Sequence, residues 1–188
     1  MTTTTQDRRR IIPIGVAVRK ATLVVHIVSA GAWIGIDVIV GVLVVVGFFT
    51  SDPSAQGLAY QALGTFAVGP MLTTGLFTLA SGLLLGLGTR YGLVRYWWVV
   101  VKLVINVVLC VLIVFALEPG MAEIVEHGRI LASGGESPLD VSTLFFPPAV
   151  SLSTLTFATI LAVFKPWGRL GSSRRRNNHD RARYTVVR

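Results

Sequence analysis

The sequence predicts an all-α membrane protein, a four-transmembrane-helix bundle with both termini in the cytoplasm. Its apolar residues form four long runs, at 21–48, 60–87, 96–117 and 144–164, and a helix needs only about 20 residues to cross a hydrocarbon core. Charged residues make up 14% of the 188-residue chain, against roughly a quarter in soluble domains. The runs lack the polar–apolar alternation of membrane β-strands, so helices are expected.

The placement of charge predicts the orientation. The net charge is +8, and Lys and Arg cluster before the first run, in the 88–95 connection and after the last run. The only charged residue of the 49–59 connection is Asp52, and the 118–143 connection has five acidic residues and one basic residue, Arg129. Because Lys and Arg are enriched in cytoplasmic connections, we expect a multi-pass protein of the cytoplasmic membrane, N-in and C-in. The basic ends are expected to contact anionic lipid headgroups rather than nucleic acid.

One membrane domain is expected between two basic cytoplasmic segments. Residues 1–20 form the N-terminal segment, 21–167 the four-helix domain, and 168–188 a tail rich in Arg, Asn, Ser and Gly. The tail cannot bury enough apolar surface to fold, which predicts disorder. The first run is about twice as long as the apolar part of a cleaved signal peptide and lacks a small-residue cleavage site, so it is expected to remain as a helix.

The first helix has the most distinctive polar pattern. His26, Ala30, Trp33 and Asp37 are spaced i, i+4, i+7 and i+11, which places them on one face of an α-helix. A charged group inside a bilayer costs at least ~2.5–3.5 kcal/mol. Asp37, and Lys102 of the third helix, are therefore expected to face the bundle interior.

The second helix is predicted to bend at Pro70, which frees a backbone carbonyl, and Thr73 and Thr74 are expected to occupy part of the kink. Two G-x-x-x-G pairs predict close approach of helix backbones. They are Gly31 and Gly35 in the first helix and Gly82 and Gly86 in the second.

The third helix contributes Lys102, Asn106 and the only cysteine. Counting about 1.5 Å per residue from the basic ends places Lys102 and His26 at a similar depth, roughly 6–9 Å into the cytoplasmic leaflet. Cys110 cannot form an intrachain disulfide and is expected to be a buried structural thiol. Besides Asp37, the other polar residues that we consider as candidate site residues inside the membrane are Trp33, Thr74 and Asn106.

The fourth helix carries a series of hydroxyl side chains that can bond across helices or back onto their own helix. They are Ser151, Ser153, Thr154, Thr156 and Thr159. By the same depth count, Asp37 lies about 22 Å from the inner boundary, at the level of Met71, Cys110 and Ser151.

The 118–143 connection is predicted to hold a short helix near 120–131. Its Glu123, Glu126 and His127 would lie close together and could bind a divalent cation weakly, although a solvated polar face is the favoured interpretation. The chain has no G-x-S-x-G, H-E-x-x-H, Walker or dinucleotide-binding motif, so hydrolytic and transfer chemistry is not indicated and no catalytic residue is predicted.

Three short motifs together resemble the CopD-like group of four-helix membrane units. They are His26-x6-Trp33-x-Gly35, the segment Pro70 to Gly75, and Trp97-Trp98 followed by Lys102. The group includes the copper-resistance membrane domain, the DUF2269 integral membrane proteins and the HemJ-type membrane protoporphyrinogen oxidases. The resemblance spans about residues 19–165, and by length the chain is most similar to the DUF2269 proteins.

The resemblance to the copper family implies a non-enzymatic component that handles or responds to a small ligand or to a metal such as copper. His26 and Asp37 are then the expected participants, with His26 as the metal ligand. Copper favours several soft ligands at one level. Within the helices only His26, Met71 and Cys110 qualify, and His26 lies about 15 Å in depth from the other two.

The resemblance to the haem-linked oxidases implies a haem b-binding redox protein that uses His26, with Lys102 in the haem environment. The later arginine of that family's first helix is replaced by Val42, which argues against the oxidase activity itself. A second axial ligand would come from a mixed set or from His26 of a dimer partner. A third possibility is an accessory or structural subunit, as a homodimer or within a larger membrane complex.

Overall fold

The computed structural model describes residues 15–88 and 96–164, and the elements in these ranges are helices. Four helical spans there are long and apolar enough to cross a membrane, which confirms the all-α class and the number of spans. They are Val16–Phe49, Pro53–Gly88, Trp97–Ala132 and Ser142–Phe164. Residues 1–14, 89–95 and 165–188 lie outside the described residues, and with them His179, most of the basic N-terminal segment and the tail predicted to be disordered. The orientation of the termini stays a prediction.

Helix α1 (Val16–Phe49) is unbroken and contacts elements of both the second and the fourth span. Its buried residues recur every three or four positions, so they form one stripe along the helix. They are Ser29, Trp33, Asp37, Val40, Val44 and Gly47. The stripe predicted to face protein is confirmed at Trp33 and Asp37, and it continues along α1 as far as Gly47.

The second span consists of two helices, α2 (Pro53–Phe66) and α3 (Val68–Gly88), with a break at Ala67. Asp52 caps α2 because its Oδ1 accepts the backbone N–H of Ser54 at 3.0 Å. The break lies three residues before Pro70, which has no N–H for the carbonyl four residues earlier. The predicted bend is therefore present.

The two threonines after Pro70 do not fill the bend. Thr73 Oγ1 donates to the carbonyl of Gly69 and Thr74 Oγ1 to that of Pro70, both at 2.8 Å. These acceptors belong to α3 itself, so the carbonyl that Pro70 leaves without a donor is not the one they satisfy.

The third span begins as α4 (Trp97–Leu112) and continues through a π-turn, Ile113–Leu117, and a 3₁₀ turn, Glu118–Gly120. It ends as α5 (Met121–Ala132). The irregular turns surround Pro119, which cannot continue regular α-helical hydrogen bonding. The short helix predicted near 120–131 is present, but it extends the third span instead of lying in a loop.

Helices α2 and α5 pack together more extensively than any other helix pair. Glycines on both helices allow this: a Cβ atom on Gly57 would clash with the carbonyl oxygen of Gly128, and one on Gly64 would lie 2.7 Å from the carbonyl oxygen of Met121. By contrast, a Cβ atom on Gly31 or Gly35 would have no neighbour within 4 Å. The prediction of close packing at Gly31 and Gly35 is therefore wrong within this chain, and both residues are exposed.

The fourth span is α6 (Phe146–Phe164), preceded by a 3₁₀ turn at Ser142–Phe145. In the connection before it, Asp140 accepts the backbone N–H of Ser142 at 2.9 Å, which lowers the pKa of this exposed carboxyl. Helix α6 contacts α1 and α4, while α3 contacts α1 and α4 from the other side. The four helices α1, α3, α4 and α6 thus form a closed ring.

Candidate ligand-binding cavity

A cavity of about 740 Å³ lies within the ring of α1, α3, α4 and α6. Binding sites for small molecules usually measure roughly 300–1,000 Å³ and are mostly apolar with a few polar groups. The wall here follows that pattern, since leucine, isoleucine, valine, alanine and glycine make up most of it. Its uncharged polar side chains other than histidine are Thr78, Trp98, Asn106 and Thr159.

The charged groups of the cavity wall are all basic. Arg19 and Lys20 come from the first turn of α1, and Lys102 comes from α4. The Lys102 ammonium lies 5.0 Å from the centre of the Trp98 ring, a cation–π contact. Among the described residues, the wall contains no aspartate or glutamate. The cavity is therefore suited to an anionic group and not to a cationic one.

His26 lines this wall with an imidazole, a side-chain type able to bind metals, and α3 fixes its orientation. Its Nδ1 lies 3.1 Å from the carbonyl oxygen of Thr78 and 3.0 Å from the Oγ of Ser81. The Ser81 hydroxyl donates to the carbonyl of Phe77 at 2.6 Å. A carbonyl can only accept, so Nδ1 carries the proton in this network. Nε2 then keeps its lone pair and is the ring nitrogen left for a ligand.

Small residues bring α1 and α3 close enough for this contact. A Cβ atom on Gly82 would lie 3.2 Å from His26 Cε1, so the imidazole occupies space that a side chain there would contest. One turn further along, Thr78 Oγ1 donates to Ser29 Oγ at 2.9 Å, and Ser29 donates to the carbonyl of His26 at 3.2 Å. We did not predict Ser29, Thr78 or Ser81 from the sequence. The signal was present, because Ser29 lies three residues after His26 and Ser81 three residues after Thr78, spacings that place each pair on one helix face.

The structure brings together some of the predicted site residues and separates others. His26, Lys102 and Asn106 line the same cavity, whereas Trp33, Asp37 and Thr74 do not. Met71 and Cys110 belong to the apolar core around Trp33. His26 is thus the one soft ligand of the cavity wall among the described residues. In that part of the chain, no three His, Cys, Asp or Glu side chains are grouped as a metal site.

The polar residues of α5 contact neighbouring protein side chains. His127 is buried, with Nδ1 2.8 Å from Ser137 Oγ and its ring edge-on to Tyr60 at 4.9 Å between centroids. Glu126 is paired with Arg129 at 2.7 Å. The weak cation site considered for Glu123, Glu126 and His127 is therefore not assembled.

Asp37 forms a second polar cluster outside the cavity. Its Oδ2 accepts the hydroxyl of Ser151 on α6 at 2.6 Å, which agrees with the predicted common depth of these two residues. Asp37 and Trp33 have 0% of their surface exposed, and Asp37 Oδ1 and Trp33 Nε1 have no hydrogen-bond partner.

No family model, no curated protein and no solved structure matches this chain. The function is therefore inferred from the cavity and from the residues that line it.

Proposed function

We propose that this chain is a non-enzymatic integral membrane protein of the CopD-like, DUF2269 type that binds one amphipathic, acidic small molecule in the cavity. The observation that carries the proposal is the anchored imidazole of His26, whose Nδ1 is held by Thr78 and Ser81 while Nε2 is left for a ligand. Histidines that bind metals typically donate the N–H of their other ring nitrogen to a protein oxygen in this way.

The chemistry of the wall defines the ligand class. An aliphatic lining favours an apolar body, since burying apolar surface contributes about 25 cal/mol per Å². The basic groups Arg19, Lys20 and Lys102 favour an acidic group on the ligand. With the basic end of α1 on the cytoplasmic side, as we propose, the acidic group faces the cytoplasm and the apolar body lies within the inner leaflet.

Haem b is the ligand of this class that best uses the histidine. His26 would bind the iron through its free ring nitrogen, the aliphatic residues of the wall would contact the apolar body, and the basic groups would hold the carboxylates. When bound, haem supplies one-electron redox chemistry. Copper alone is less well served, because the other soft ligands, Met71 and Cys110, lie in the core and not in the cavity wall.

An absorption spectrum of the protein purified in mild detergent tests the proposal. We expect a Soret band in the wild type, its loss in His26→Ala, and its retention in the matched control His127→Gln, which changes a histidine outside the cavity. A colourless protein that takes up no added haem would overturn the haem assignment. If elemental analysis finds copper in the wild type but not in His26→Ala, the ligand of His26 is copper and not haem.

A second role, as a subunit of a membrane assembly or a homodimer, is favoured by the exposed Gly31/Gly35 face of α1. Small residues at this spacing let another membrane helix approach closely. Cysteine introduced at Gly35 should cross-link to a neighbouring helix in membranes, whereas cysteine at Val104, which is exposed on α4, should not. Equal cross-linking at both positions would speak against a specific partner on this face.

A further inference from the structure

We propose that Asp37 is a second functional site of this protein, a carboxyl group in the membrane interior that reversibly binds a proton. It lies eleven residues from His26 along α1, a rise of about 16 Å. Neither Asp37 nor its hydrogen-bond partner Ser151 lines the ligand cavity. The site is therefore distinct from the one proposed above and does not depend on it.

The burial of Asp37 is complete, and its hydrogen bonding is half satisfied. Oδ2 accepts the Ser151 hydroxyl, whereas the buried Oδ1 has no partner. The Ser151 hydroxyl donates to another helix, whereas the hydroxyls of Thr154 and Thr159 donate to carbonyls of α6 itself. Buried polar atoms without partners are rare in folded proteins and indicate a bound water, an ion or a functional proton.

Trp33 supplies a second unsatisfied polar atom on the same face of α1. Its Nε1 is a donor only, it is buried, and it lies one turn from Asp37 without a partner. A water molecule needs two or more polar partners to be retained in a buried site. The donor of Trp33 and the carboxyl oxygen of Asp37 are each buried without a partner, on residues one helical turn apart. A water bound at Oδ1 would give the carboxyl a partner for proton exchange.

The surroundings of Asp37 favour a proton over a salt bridge. Helices α3 and α6 and the turn at 142–145 contain no acidic, basic, cysteine or tyrosine residue. Helix α2 contributes Tyr60, which lies against Gly47 further along the stripe, and α4 contributes Lys102 in the cavity wall and Cys110 beside Trp33. Among the described residues Asp37 has no ion pair. A charged carboxylate inside a bilayer is costly without a counter-ion, and a proton neutralises it.

The proposed step is an acid–base equilibrium. A hydronium ion transfers a proton to the free lone pair of Oδ1 and becomes water, so one O–H bond breaks as the Oδ1–H bond forms, while Oδ2 continues to accept from Ser151. Release transfers the proton back to a water molecule, which re-forms hydronium and leaves the carboxylate.

Infrared titration of protein labelled with ¹³C-aspartate in lipid nanodiscs tests the proposal. In the wild type we expect a C=O band of a protonated acid that persists after the exposed aspartates have ionised and disappears at higher pH. The band should be absent in Asp37→Asn and unchanged in Asp52→Asn, which alters an exposed aspartate. In Ser151→Ala it should move to higher frequency, because the hydroxyl donor is removed.

The Ser151→Ala shift assigns the band even if Asp37→Asn fails to fold. Absence of such a band in the wild type would overturn the proposal. A sodium-dependent rise in melting temperature that requires Asp37 would also overturn it, in favour of a bound metal cation. Loss of haem binding leaves the band unaffected, so the two proposals fail separately.

Discussion

Replacing Gly128 by alanine should destabilise the protein through the contact between α5 and α2. The added Cβ atom would lie 2.7 Å from the carbonyl oxygen of Gly57 and 2.9 Å from the backbone nitrogen of Gln61. Both neighbours are backbone atoms, so the contacts cannot be relieved by a side-chain rotation. The two helices must move apart, and overpacking of this kind typically costs about 1–3 kcal/mol.

Gly41→Ala is the matched control, because its Cβ would meet only Pro148 Cβ, at an ordinary van der Waals distance of 3.9 Å. Both variants gain up to about 1 kcal/mol of helix propensity from the same chemical change. Their difference therefore isolates the packing cost. At about 2–4 °C per kcal/mol for a chain of this size, Gly128→Ala should melt about 2–12 °C below Gly41→Ala.

Cys110 provides the assay, since it is the only cysteine in the chain and is 8% exposed. A thiol-reactive fluorescent dye labels it as the protein unfolds, so a thermal ramp in detergent gives the midpoint of each variant. Equal midpoints, or a higher midpoint for Gly128→Ala, would refute the close packing of α2 on α5.

Three further predictions concern the cavity and the caps. Ser81→Ala should weaken haem binding by about tenfold, because one of the two partners of His26 Nδ1 is lost while the Thr78 carbonyl remains. Haem titration measures the affinity, and an unchanged affinity would contradict this prediction. Ala158→Phe should fill the cavity and abolish ligand binding, whereas Phe at the exposed Val163 should not; equal binding in spectra of both variants would count against the site. Asp52→Ala should lower the melting midpoint by about 2–4 °C through loss of roughly 1 kcal/mol of capping, and Asp52→Asn should not; equal midpoints would exclude the cap.

The sequence predicted the parts of the fold that depend on periodicity and solvent. The spacing of Trp33 and Asp37 placed both on the buried face of α1, and depth counting put Asp37 at the level of Ser151, to which it is hydrogen-bonded. Pro70 indicated a bend, which the structure places three residues earlier, at Ala67. Each of these features was predicted from the spacing of residues within a single helix.

Features that depend on which helices touch could not be predicted. The Gly31/Gly35 motif indicated close packing, but the tight contact is made by Gly57 and Gly128, whose partnership requires α5 to extend the third span. The Thr78 carbonyl and the Ser81 hydroxyl that orient His26 belong to α3, about fifty residues away, so the imidazole could be identified as a candidate while its hydrogen-bond partners could not.

Native mass spectrometry of the protein released from membranes would detect the acidic, apolar-bodied molecule that we propose contacts His26 in the cavity. We expect one such molecule per chain in the wild type and in His127→Gln, and none in His26→Ala or Ala158→Phe. Ordinary membrane lipid at the same level in all four proteins, with no other molecule bound, would contradict this expectation.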